Sequence, residues 1–138
     1  MDDRYAAGIF DGEGCVLINK RVLKASNEIP QYNLKISITA TYLPMLEAMQ
    51  QTYGGSVQAV NNKVNKPLYS WALSTNGSIA FLTRVYPYLM EKKAQAWLAL
   101  EYHAQRTHNS ATYRVSPEEV ALREGYFLAL KQAKGRDN

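Results

Sequence analysis

A chain of 138 residues, 46% hydrophobic and 20% charged, has the size and balance of one ordinary soluble domain with room for a core, which excludes a disordered tail and a multidomain machine. No apolar run approaches the roughly 18 residues of a bilayer span, and the start MDDRYAAGIF has neither a charged leader nor a cleavage site, so the expectation is an intracellular protein of the cytoplasm or an organelle matrix, neither secreted nor membrane-bound. A single cysteine excludes an internal disulfide and a Cys-based zinc cluster, the two histidines lack finger spacing, and a net charge of +4 suggests, weakly, a polyanionic partner.

Asp2 or Asp3 caps a short helix through Tyr5 to Asp11, which Gly12 and Gly14 end. From Cys15 to Lys24, Val16, Ile18 and Val22 alternate with Leu17, Asn19 and Arg21, and Ser26, Asn27 and Pro30 then form a loop. A second run, Gln31 to Ile38, alternates more cleanly, with Tyr32, Leu34, Ile36 and Ile38 on one face and Gln31, Asn33, Lys35 and Ser37 on the other. The pair reads as a hairpin, half buried and half wet.

A helix follows from about Leu43 to Tyr53, with Pro44 in its first turn and Gly54-Gly55 as its stop. Ser56 to Asn61 and Leu68 to Ser74 read as shorter strands around a polar loop that carries Lys63 and Lys66, and Tyr69, Trp71 and Leu73 alternate with Ser70, Ala72 and Ser74. A helix starts at Asn76 and runs to Val85, Pro87 breaks it, and a longer one spans about Leu89 to Gln105. Ser116-Pro-Glu-Glu119 is a capping box that opens a last helix, stopped by Gly135. The order α-β-β-α-β-β-α-α-α, without a repeat or a Gly/Ser linker, predicts one α+β domain over residues 1–138, with an antiparallel sheet that is apolar under helices on one face and polar on the other.

The charge is uneven. In the strand regions, residues 14–40 and 56–75, Lys20, Arg21, Lys24, Lys35, Lys63 and Lys66 face one acid, Glu28, so these regions hold five positive charges in excess and the rest of the chain is net −1. A wet face bearing Asn19, Arg21, Gln31, Asn33, Lys35, Ser37 and Gln58, with Ser70, Lys63 and Lys66 beside it, mixes cations for phosphates with groups that read base edges. A plain solvated sheet fits the same pattern equally well.

The sharpest local signal is Ala6-Ala-Gly-Ile-Phe-Asp-Gly-Glu-Gly14. Each helical glycine costs about 1 kcal/mol relative to alanine, so Gly8 and Gly12, one turn apart, make sense where another backbone must come close. Two such helices crossing there would bring their Glu13 residues side by side; a helix stop with solvated acids fits the same residues. An EF-hand loop starting at Asp11 would need an oxygen ligand and a glycine where Cys15 and Val16 stand, and a dinucleotide-binding glycine turn should open a helix rather than close one. His103, Arg106 and His108 read as a polar helix end, and Cys15 as a packing residue.

The nine residues from Ala6 to Gly14, followed by an alternating strand, resemble the signature of the LAGLIDADG homing endonucleases, with Glu13 in place of the final aspartate. Ile36-Ser-Ile-Thr39, Trp71 and Tyr86 to Ala96 resemble that family's second strand, fourth strand and the start of its later helix. The resemblance implies an αββαββα fold with an antiparallel sheet saddle, here with extra C-terminal helices. It implies a Mg²⁺-dependent, sequence-specific endonuclease of intron type that makes a staggered double-strand cut. The family places its metals between two carboxylates from two motif helices, and this chain has one such motif. The implied molecule is therefore a homodimer on a pseudo-palindromic double-stranded DNA site, with Ala7, Gly8 and Asp11 at the interface and Glu13 and the Gly12 carbonyl as metal ligands. Lys92 falls where the family often has an active-site lysine, although a solvated lysine beside Lys93 reads equally well. Ala40 stands where the family commonly has a polar Gln or Asn, and no basic equivalent appears among Tyr42, Leu43 and Pro44. A cleavage-deficient DNA- or RNA-binding protein on the same scaffold, a maturase or regulator, is the alternative.

Overall fold

The computed structural model describes residues 1–22, 29–61, 66–106 and 115–135. Lys24, Lys63 and His108 lie outside these. Helix α1 (Asp3–Glu13) is capped by Asp2, whose carboxylate accepts from Tyr5 N at 2.8 Å, and runs directly into strand β1 (Gly14–Val22). Strand β2 (Pro30–Ala40) returns antiparallel, and helix α2 (Leu43–Tyr53) keeps its proline in the first turn and ends at Gly54. Strands β3 (Ser56–Ala59) and β4 (Tyr69–Leu73) complete a four-stranded antiparallel sheet in the order β1-β2-β4-β3. Helices α3 (Thr75–Val85), α4 (Lys93–Gln105) and α5 (Pro117–Ala133) follow, so the element order read from the sequence holds. No helix among the described residues is long and apolar enough to cross a membrane.

One boundary differs for a physical reason. The helix expected from Leu89 starts at Lys93, after a short 3₁₀ turn at Tyr86–Tyr88. The intervening N–H groups of Met90 and Lys92 donate to the Asp11 carboxylate at 2.8 and 3.0 Å. An acid from α1 thus satisfies and neutralises the N-terminal end of α4, replacing the helical turn the sequence suggested.

The core lies between the sheet and the helices. Phe10, Trp71 and Phe81 are at most 1% exposed; Phe81 meets Phe10 edge to face at 5.5 Å and Trp71 at 5.4 Å, while half-buried Tyr53 stands 4.8 Å away. Trp71 satisfies its indole N–H on the Gly54 carbonyl at 2.7 Å, joining β4 to the end of α2. Tyr32, Leu34, Ile36 and Ile38 of β2 all face this core, as their alternation predicts. In β1 the inward series is Val16, Ile18 and then Lys20, whose ammonium pairs with Glu124 of α5 at 2.8 Å. Lys20 therefore belongs to the helix side, and the wet face carries one charge fewer than the strand count suggests. Val22, at the strand end, is 54% exposed.

Candidate active site

Register assembles the opposite face of the sheet into rows. Arg21 pairs with Gln31, Asn19 with Asn33, and Leu17 with Lys35. Cys15 pairs with Ser37, which also meets Ala72 of β4. Ser70 lies between Thr39 and Gln58. Because paired residues share a face, Asn19, Arg21, Gln31, Asn33, Lys35, Ser37, Gln58 and Ser70 form one surface, and its long side chains are exposed, with no helix over them among the described residues. Lys66, exposed, stands in the loop ahead of β4.

Helix α1 presents two very different sides. Ala6, Ala7 and Phe10 are fully buried, while Tyr5, Gly8 and Gly12 are exposed. A side chain added at Gly8 or Gly12 would meet nothing within 4 Å. The two other residues expected at an interface, Ala7 and Asp11, sit elsewhere on the helix in the single chain. Ala7 is enclosed in the core of its own chain, because the 3.6-residue period puts it beside Phe10 rather than beside Gly8. Asp11 sits on the flank and its carboxylate is engaged by the backbone of residues 90 and 92. Along the open side runs an apolar groove that includes Gly8, Ile9, Ala40, Tyr42 and Met45, with Glu13 also on its wall.

Glu13, exposed at the C-terminal end of α1, stands between that groove and a second cleft. The cleft is lined by Gly12, Cys15, Glu91, Lys92, Gln95 and Lys134 as well as Glu13. Two of the final carbonyls of α1 already have partners: Phe10 O accepts from Gly14 N–H, and Asp11 O accepts from the Lys92 ammonium at 2.8 Å. Lys92 is thereby held rather than solvated, with its side chain 13% exposed and Glu91 3.9 Å away. Gly14 makes the turn from helix to strand possible, since a Cβ there would lie 2.3 Å from the Phe10 ring. Helix, acid and sheet surface are therefore joined without a loop.

Sequence reasoning missed Cys15 and Lys134 as cleft residues. Cys15 is half-buried at the head of the wet face, and the Lys134 ammonium lies 3.7 Å from its sulfur. The alternation of β1 already put Cys15 on the face of Asn19 and Arg21, but nothing local links it to the end of α5. His103 and Arg106 close α4 and do not line the cleft.

The donor set bears on a metal. Glu13 and the backbone oxygen of Gly12 are hard ligands suited to Mg²⁺, but among the described residues no three His, Cys, Asp or Glu side chains gather to hold an ion. These two oxygens are suited to a hard cation but do not by themselves complete a coordination shell.

A family model described as LAGLIDADG endonuclease matches residues 6–115. No curated protein matches the sequence. Among solved structures, the homing endonuclease I-CvuI, in complex with its target in the presence of calcium, superposes with a TM-score of 0.73 at 17% identity, over 99% of this chain and 82% of that one. A second structure of I-CvuI, with the I-CreI target in the presence of magnesium and the DNA not cleaved, gives 0.62 at 19% identity, over 93% of each chain. The archaeal intron-encoded homing endonuclease I-Vdi141I complexed with DNA gives 0.62 at 15% identity, over 91% of this chain and 96% of that one. I-SmaMI bound to uncleaved DNA with calcium gives 0.69 at 18% identity, over 96% of this chain but 45% of its own length.

Proposed function

This chain belongs to the LAGLIDADG endonuclease family, and we propose that two copies of it form a sequence-specific DNA endonuclease, acting inside the cell, that makes a staggered double-strand cut with a divalent cation between paired Glu13 carboxylates. The observation that carries this reading is the juxtaposition at Glu13: an exposed acid at the end of a helix with an open glycine side, beside an amide- and cation-bearing sheet surface. Gly8 and Gly12 would let a second α1 approach closely, with exposed Tyr5 and half-buried Ile9 flanking the contact and Ala7 and Asp11 backing it. Pairing supplies the second carboxylate that a single chain lacks.

Glu13 and the Gly12 carbonyl would hold the cation, Mg²⁺ by the hardness of the donors. Bound there, it would activate water and stabilise the oxygens at the scissile phosphate. The rest is supplied by the chain. Lys92, fixed by Asp11 O, holds a positive charge at the cleft. Asp11 keeps the segment before α4 in place, and so keeps Lys92 and Glu13 in one cleft. Arg21, Lys35 and Lys66, with Lys63 from the same loop, would neutralise phosphates, while Asn19, Gln31, Asn33, Ser37, Gln58 and Ser70 read base edges.

Glu13→Gln removes the charged ligand and keeps the shape of the side chain. The expected outcome is loss of Mg²⁺-dependent plasmid nicking with DNA affinity retained; equal nicking by both proteins would overturn the assignment. A second reading, a DNA- or RNA-binding protein that does not cut, is favoured by one observation. Ala40 lines the groove at Glu13 and brings no hydrogen-bonding side chain where solvent would need to be ordered. Retained binding without nicking in the unaltered protein would select it.

A further inference from the structure

The two lysines of the cleft differ in what their ammonium groups touch. Lys92 donates to a backbone oxygen at 2.8 Å and has a carboxylate within 3.9 Å. Lys134 faces the sulfur of Cys15 at 3.7 Å, and among the described residues it makes no ion pair. A thiol is a weak acceptor, whereas an ammonium has three donors. The ammonium is partly buried, and the thiol is the one side-chain acceptor it has among the described residues, which leaves donors open to an oxygen of a ligand.

Its place is set from far along the chain. Helix α5 is tied to the sheet by Glu124, which accepts from Lys20 at 2.8 Å and from Tyr32 Oη at 2.5 Å. The helix ends where Gly135 adopts φ +67°, leaving Lys134 as its capping residue against the head of β1. Cys15 belongs to the wet face and shares the cleft with Glu13, so the Lys134 ammonium stands where the sheet surface meets the acid.

We propose that Lys134 binds a backbone phosphate of DNA beside Glu13, so that the C-terminal helix supplies a phosphate-contacting cation to the cleft. This rests on the endonuclease reading and extends it to a residue beyond the segment that matches the family. The geometry favours a phosphate over a base: the Lys134 ammonium at the head of the wet face is a point charge without the planar, paired donors that read a base edge.

The test measures affinity of the full chain for two short fluorescent duplexes of unrelated sequence, in EDTA, over a series of KCl concentrations. Lys134→Ala is expected to weaken both complexes alike and to flatten the slope of log affinity against log salt by about 1.8, the contribution of two phosphate contacts, one from each chain of the pair. Lys134→Gln, which keeps most of the stem and removes the charge, should behave the same, and Lys134→Arg should restore the slope. Lys131→Ala removes a charge from the same helix outside the cleft and should keep the unaltered slope. An unchanged slope in both neutral variants at 134, or an equal flattening by Lys131→Ala, would overturn the proposal. If Arg21→Ala flattens the slope while the neutral variants at 134 do not, only this inference fails; if the unaltered protein shows no salt-dependent affinity, the endonuclease reading fails with it.

Discussion

Gly14 and Gly8 belong to one motif and have opposite surroundings. At Gly14 a Cβ would lie 2.3 Å from the Phe10 ring and 2.5 Å from the Phe10 carbonyl, both inside van der Waals contact. Gly14→Ala is therefore expected to destabilise the fold by about 1–3 kcal/mol, the usual range for overpacking, read as a lower urea midpoint. At Gly8 there is open space, so Gly8→Leu should leave the single chain as stable or stabilise it slightly, by up to about 1 kcal/mol of helix propensity. If the open side of α1 is a helix–helix contact, the same leucine prevents pairing, and light scattering would show the smaller species. Loss of stability at Gly8, or pairing unaffected by leucine, would refute that contact. The sequence marks both glycines but cannot say which one serves the fold and which the surface. Gly14 is fixed by Phe10, four residues back in the preceding helix, whereas Gly8 is defined by what the chain leaves uncovered.

At the scale of elements, long-range polar contacts set the helices around the sheet. Hydrogen bonds from Lys20 first, and from Tyr32, hold the Glu124 carboxyl below the ordinary carboxylate range, while burial and Glu124 together raise the Tyr32 phenol. Asp3 is likewise lowered, by the hydroxyl of Tyr53 and by Arg84, which ties α1 to α2 and α3. A folded-state pKa below the unfolded value of about 4.3 means that Glu124 contributes its full stabilisation above that pH and loses it as the pH falls through the folded value. Glu124→Gln should thus lower the melting temperature at neutral pH, and the gap between the two proteins should close in acid. A gap independent of pH would show that packing, not charge, anchors α5. The same element scale explains the misplaced start of α4: the sequence shows Pro87 but not Asp11, the acid that accepts the freed N–H groups from another helix.

At the scale of the whole molecule, the single Glu13 of the one glycine-acid motif per chain makes the proposed cleavage depend on assembly. We expect a two-fold pair in solution and a pseudo-palindromic preference in a cleavage selection against randomised duplexes; a persistent monomer on DNA, or an asymmetric target, would refute it. Much of this was legible beforehand. Period-two alternation in β2, the glycine stops and the Ser116 cap depend on neighbours within a few residues, so the sequence by itself determined the element order, the inward and outward faces of β2 and the glycine-acid helix end. Sequence spacing could not place Lys20 under a helix, enclose Ala7, hold Lys92 on Asp11 O, or bring Lys134 across 119 positions to Cys15. Those outcomes were decided only by tertiary structure, because a side chain's partner depends on which elements pack together, and that is a property of the closed core rather than of any local run of residues.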